Sequence, residues 1–151
     1  MNVRLNGNWR IMKAHQPTFP TSEQDIVMKS AKDFLKEAHT HVPKIDPAEG
    51  IAKHQAGTTV FVDVRDSADI AKSGTIAGAL RIPRGFIEFA ADDTMQFHVP
   101  EMQKAADICL VCGAGGQAAL AGKTLKEMGY QSVVNVGGIG DWKAAGGPME
   151  D

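Results

Sequence analysis

The stretch Ile108-Cys-Leu-Val-Cys-Gly-Ala-Gly-Gly-Gln-Ala-Ala-Leu-Ala-Gly-Lys-Thr-Leu-Lys-Glu-Met128 constrains the fold more than any other part of the chain. Its apolar run, Ile108 to Val111, is short and bounded by polar residues, as a buried parallel strand would be. Cys112 stands where the run stops. Gly113, Gly115 and Gly116 then permit a tight loop whose amides point inward. From Gln117 onward, Ala118, Leu120, Ala121, Leu125 and Met128 recur at helical spacing, and Gly129 closes the helix. A thiol between a strand, an amide-rich loop and a helix N-terminus is well placed to react as a thiolate. Unpaired amides and the helix dipole both favour negative charge there. Cys112 is therefore the expected nucleophile, on an accessible loop.

Three other readings of this stretch fail on spacing. Gly113-Ala-Gly115-Gly-Gln-Ala118 fits a loose dinucleotide fingerprint, but that fold wants a carboxylate about 20 residues on. The next strand offers Asn135 instead. Gly116 to Thr124 places five residues between its glycines, one more than a phosphate loop allows. Cys109-Leu-Val-Cys112 could be a redox dithiol, yet residues three apart in a strand face opposite sides, so the sulfurs would not meet. No second cysteine pair completes a zinc site. Cys109 reads as a small buried apolar residue, and no metal or other cofactor is expected.

The 151 residues fit one domain with a proper hydrophobic core. With 16 basic and 18 acidic residues, a net charge of −2 gives no reason to expect nucleic acid or an anionic membrane. No apolar run approaches the roughly 20 residues of a bilayer span, and the N-terminus lacks the apolar core of a signal peptide. Two cysteines, one of them a working thiol, suit a reducing compartment, so a cytoplasmic location is expected.

Residues 1–24 show no clear period and read as an extension. Residues 25–43 read as a helical segment, with its helix expected from about Glu23 to His39 and Thr21 or Ser22 as cap. That helix either covers the sheet or pairs with its copy in a homodimer. His39-Thr-His41 reads as a solvated helix end. Residues 44–151 form the expected main domain. It begins with a helix from Pro47 to Gln55 capped by Asp46, then a central strand from Val60 to Val64 and a helix from Asp66 to Ser73. A turn over Gly74 to Gly78 leads to a short strand from Ala79 to Ile82, followed by a loop or helix from Arg84 to Ala91. After the Cys112 unit come a strand from Ser132 to Val136 and a helix from Ile139 to Ala145. Strands alternating with helices predict an α/β fold: an open, mainly parallel sheet with helices on both faces. Ligands bind such sheets at the carboxyl edge. There the loops bring Arg65 and Arg84 toward the mouth that holds Cys112.

Four motifs in order make the segment from about residue 44 to 149 resemble a single-domain rhodanese, a sulfurtransferase module. They are Asp63-Val-Arg65; Gly74-Thr-Ile-Ala-Gly-Ala79 followed by Ile82-Pro83; Cys112-Gly-Ala-Gly-Gly-Gln117; and Gly137-Gly-Ile-Gly-Asp-Trp142-Lys-Ala-Ala-Gly146. The resemblance implies a rhodanese-like fold in which Cys112 takes a sulfur from a small donor such as thiosulfate or mercaptopyruvate. A thiol, cyanide or a protein acceptor then removes it. Gly113, Ala114, Gly115, Gly116, Gln117 and Ala118 would form the donor-binding loop, with Arg84 and Arg65 as the nearby cations. A carrier that loads once for a protein partner, or a docking module, is the alternative.

Departures from the family pattern bear on the donor. Thr75 and Ala77 replace the usual His and Pro. Gly113 and Gln117 stand where many members carry Arg, so the loop has no guanidinium fork for a dianion and resembles the neutral mercaptopyruvate type. Arg65 has a structural reading beside the binding one, an ion pair with Asp63 or Asp66, and Trp142 reads as core or as ligand contact. The related phosphatases need Cys-x5-Arg, and position 118 is Ala.

Overall fold

The computed structural model describes residues 27–151 and two N-terminal strands, β1 (Asn2–Leu5) and β2 (Asn8–Ile11), which pair antiparallel. That pair falls in the segment read as an extension without clear period, although Val3 and Leu5 alternate with Asn2 and Arg4, and Trp9 and Ile11 with Asn8 and Arg10, as strand residues do. Helix α1 is Ala31–His41. It begins later than expected, because Ser30 and Asp33 form a capping box: Asp33 N donates to Ser30 Oγ, and Ser30 N donates back to the Asp33 carboxylate at 2.7 Å. Residues 27–30 are not helical, and the expected caps Thr21 and Ser22 lie outside the described residues.

The main domain runs α2 (Pro47–Ala56), β3 (Thr59–Asp63), α3 (Ser67–Ser73), β4 (Thr75–Ile76) and β5 (Leu80–Arg81). A 3-10 turn (Arg84–Phe86) leads into α4 (Ile87–Ala91), then β6 (Asp107–Cys112), α5 (Gly116–Glu127), β7 (Ser132–Gly138), α6 (Ile139–Ala144) and β8 (Met149–Glu150). Asp46 caps α2 as expected, accepting from Glu49 N at 2.9 Å. Asp66 precedes α3 but makes no side-chain cap.

The central sheet has the order β5-β3-β6-β7, and every neighbouring pair is parallel. Helices pack on both faces, as the strand-helix alternation predicts. A separate antiparallel pair, β4 with β8, holds the end of the chain against the segment read as a turn.

Alternation along β6 divides the core. Ile108, Leu110 and Cys112 face one side, with Ala118, Ala121 and Leu125 of α5, Ile87 of α4 and Val42 after α1. Cys109 and Val111 face the other, with Phe61, Ile76, Val136 and Trp142. The two thiols therefore lie on opposite faces of one strand, and both are free.

Burial pushes the Cys109 thiol from 9.0 up to about 12. The folded protein thus holds the proton over a range where the unfolded chain releases it. The stabilisation is intact below about pH 9 and is lost as pH rises from about 9 to about 12, at roughly 1.4 kcal/mol per pH unit. Urea unfolding at stepped pH should show this slope in the native protein and a shallower one in Cys109→Ala. Equal slopes would contradict the assignment.

Candidate active site

The loops after the strands meet at the carboxyl edge. Val64 N donates to Val111 O at 3.1 Å, and Arg84 N donates to Val64 O at 2.9 Å. A Cβ at Gly138 would sit 2.5 Å from Gly113 O, so only glycine lets the end of β7 press against the loop after Cys112.

Cys112 closes β6, and the loop wraps its sulfur. Gly115 N donates to Sγ at 2.9 Å and Ala118 N at 3.4 Å. Gly115 can turn its amide inward because its φ is 97°. It also serves as the N-cap of α5 and offers no side chain to occupy the helix amides. The expectation of an accessible loop needs correcting in one respect. Its rim, Gly113, Ala114 and Gln117, is exposed, but Cys112 is only 1 % exposed and forms the floor. The loop amides close over the sulfur from above. Gly116 is half-buried, and Leu35 of α1 lies 3.5 Å from where its Cβ would stand, so α1 forms one wall of the mouth.

Arg65 sits in the structural ion pair. Its Nε and Nη2 donate to the Asp63 carboxylate, Nη2 at 2.7 Å, while Nη1 donates to Ser73 Oγ and Nη2 to Gly74 O. Thr75, a departure from the family pattern, donates its hydroxyl to the same carboxylate at 2.7 Å. Asp63 and Arg65 thus tie the end of β3 to α3 and β4, and the guanidinium is not directed at the Cys112 loop. Arg84 is half-buried, with Nη1 on Glu88 at 2.9 Å and Nη2 on Thr124 at 3.1 Å. Thr124 lies eight residues into α5, about 12 Å along the axis from Gly116. The structure therefore does not bring Arg84's charge to the loop. Trp142 is fully buried, with Nε1 donating to Pro148 O, so it is core.

Sequence reasoning missed two residues beside the loop. Asn135 is fully buried and donates to Gly115 O at 2.9 Å. Lys44, in the segment that pairs alongside β7 at Asn135, extends its Nζ to 4.0 Å from the Cβ position of Gly137. Asn135 shows in the sequence only as a polar residue within the apolar run Val133 to Val136, and Lys44 carries no local signal, since both act across the sheet edge. No helix of the described residues is long and apolar enough to cross a membrane.

A cysteine at a strand end, with two loop amides donating to its sulfur and a helix following, lies at the carboxyl edge of a parallel sheet. Residues 46–145, more than half of the chain, match the rhodanese-like domain model, and the chain belongs to that family. Relatives include a Bacillus subtilis protein called "Putative sulfur carrier protein YrkF", 30% identical over 89% of this chain and 70% of its own length. A sulfurtransferase of Allochromatium vinosum is 32% identical over 72% of this chain and 94% of its own. Among solved structures, a Rhodopseudomonas palustris protein of unknown function, described as a possible tyrosine phosphatase, aligns with a TM-score of 0.77. It is 33% identical and covers 88% of this chain and all of its own. The polysulfide-sulfur transferase homodimer of Wolinella succinogenes aligns at 0.63, with 25% identity over 78% of this chain and 84% of its own.

Proposed function

We propose that the protein transfers a sulfane sulfur from a small anionic donor, thiosulfate or mercaptopyruvate, to a thiol or cyanide through a persulfide on Cys112. One observation carries this reading: two backbone amides converge on the Cys112 sulfur within a loop that offers no competing side chain. The thiolate attacks the outer sulfur of the donor, the new S–S bond forms, and the donor's old bond breaks with its electrons leaving on sulfite or pyruvate enolate. The acceptor then attacks the terminal sulfur, and Cys112 departs as the thiolate. The amides from Gly113 to Ala118 stabilise the anionic persulfide as an oxyanion hole stabilises oxygen.

We leave Arg65 out of donor binding, because Asp63, Ser73 and Gly74 occupy its guanidinium. Arg84 would have to release Glu88 and Thr124 to reach the loop. Donor preference then rests on the amide rim, which favours a monoanion over thiosulfate. Gln117→Arg adds a rim cation and is expected to raise kcat/KM for thiosulfate about tenfold relative to mercaptopyruvate, within the range of one charge-assisted hydrogen bond. Both donors are assayed at fixed ionic strength. An unchanged ratio would mean that the rim does not set donor choice.

The Bacillus relative's name favours a second reading, in which Cys112 is loaded once and delivers its sulfur to a protein acceptor. Thiocyanate yield per protein separates the two: an enzyme cycles with excess donor and cyanide, whereas a carrier stops near one equivalent. The chemistry named for the Rhodopseudomonas neighbour gains no support, because Ala118 stands where Cys-x5-Arg requires the phosphate-binding Arg. The two free cysteines favour a reducing, cytoplasmic setting.

A further inference from the structure

A fully buried carboxamide in the β7 strand calls for an explanation, since an apolar side chain would serve the sheet at lower desolvation cost. The backbone of Asn135 is already paired: its N donates to Pro43 O and its O accepts from Ile45 N, both at 2.9 Å. The side chain is therefore not needed for strand pairing. It bonds at both ends elsewhere, with Nδ2 donating to Gly115 O at 2.9 Å and Oδ1 accepting from Gly137 N at 2.8 Å. Its orientation is fixed by chemistry, because one partner can only accept and the other can only donate.

The Gly137 amide needs that partner because of a bulge. Asn135 pairs with Leu110 and Gly137 with Val111, so Val136 is the extra residue and the ladder is interrupted there. On the other side, Gly115 O also accepts from Ala119 N at 3.0 Å. Two donors thus pin one carbonyl. A trans peptide holds C=O and N–H antiparallel, so pinning Gly115 O directs the Gly116 N–H away from Asn135, at the open end of α5. Gly115's own N–H is the closer of the two on the Cys112 sulfur.

We infer that Asn135 is a positioning residue for sulfur transfer, holding the Gly115–Gly116 peptide plane and so restricting rotation at Gly115, whose own N–H, in the preceding plane, bonds the Cys112 sulfur. The inference rests on the sulfurtransferase reading for its activity measurement and on geometry alone for its exchange measurement. It differs from a merely structural role, because the bonds it makes fix amide direction in the loop.

The test uses the full chain as Asn135→Leu and Asn135→Asp. In Asn135→Leu, with cooperative unfolding retained, the Gly115 and Gly137 amides lose hydrogen-exchange protection while Leu110 and Val134 keep theirs. Sulfur loading from saturating thiosulfate slows on the order of 100-fold, with KM changed less than about threefold, as expected for misaligned donors. In Asn135→Asp a carboxylate oxygen faces Gly115 O at high pH, whereas a protonated carboxyl can donate to it. The loading rate relative to native protein therefore rises as pH falls from about 8 to about 5.5. The charged groups nearest this position are Lys44, paired with Asn135, and Asp46, Glu49 and Asp141, which line a pocket with Lys44 and Val136; the first turn of α5 carries none. Comparison with native protein at each pH cancels their contributions. Retained protection at Gly115 in Asn135→Leu, or native loading rates in both variants, would overturn the inference. If native protein takes no sulfur from any donor, the sulfurtransferase reading falls, and the exchange measurement still decides the role of Asn135.

Discussion

Cys112→Ser is expected to remove sulfur transfer altogether, with the turnover of donor and cyanide to thiocyanate falling on the order of 10⁴-fold or more. A serine hydroxyl can still accept from Gly115 N and Ala118 N, so the loop keeps its partners, but oxygen in that position forms no persulfide. The change is nearly isosteric, and stability should move by no more than about 1 kcal/mol. Cys109→Ser works the other way. Its hydroxyl would enter the apolar face shared with Phe61, Val111 and Trp142, at a cost of about 1–3 kcal/mol, while turnover per folded molecule is retained. Thiocyanate release and urea unfolding measured on both variants check the pair. Turnover surviving in Cys112→Ser would move the nucleophile elsewhere.

Arg65→Ala is expected to cost about 3–5 kcal/mol of stability, because it strands the Asp63 carboxylate in the interior with no counter-charge. Against a typical total of about 5–15 kcal/mol, that is a large fraction. Thr75 and the Arg65 amide would remain on the carboxylate, but neither brings charge. Donor KM for the folded fraction should stay unchanged, since the guanidinium is engaged away from the loop. Denaturant titration and steady-state kinetics read the two effects separately. A loss under about 1 kcal/mol with a raised KM would return Arg65 to donor binding.

What could be read in the sequence was what local pattern encodes. The β6 run, the three loop glycines and the helical spacing after Gln117 sit within one short stretch, so the Cys112 unit was legible from adjacent residues alone. The opposite facing of Cys109 and Cys112 followed from strand alternation and holds in the two core clusters. Features that depend on distant partners were not legible. The β4–β8 pair joins Thr75 to Glu150 through two-residue strands that carry no periodicity. The start of α1 is different: the expected caps were Thr21 and Ser22, whereas Ser30-Ala-Lys-Asp33 carries capping-box spacing within four adjacent residues. Arg65 and Arg84 look alike as cations following strands. What separates them from the loop is Ser73 and Gly74 in one case and Glu88 and Thr124 in the other, partners supplied by the folded arrangement. Asn135 stands out in the sequence only as a polar residue within an apolar strand, and its role depends on a bulge in β7 and on a carbonyl 20 residues earlier.

The central claim is that Cys112 holds the sulfur in transit. Peptide mass spectrometry after incubation with thiosulfate or mercaptopyruvate, followed by removal of free donor, tests it most directly. One added sulfur on the peptide containing Cys112, released by cyanide, is the expected result. Sulfur on Cys109, or no added sulfur from either donor, would contradict it.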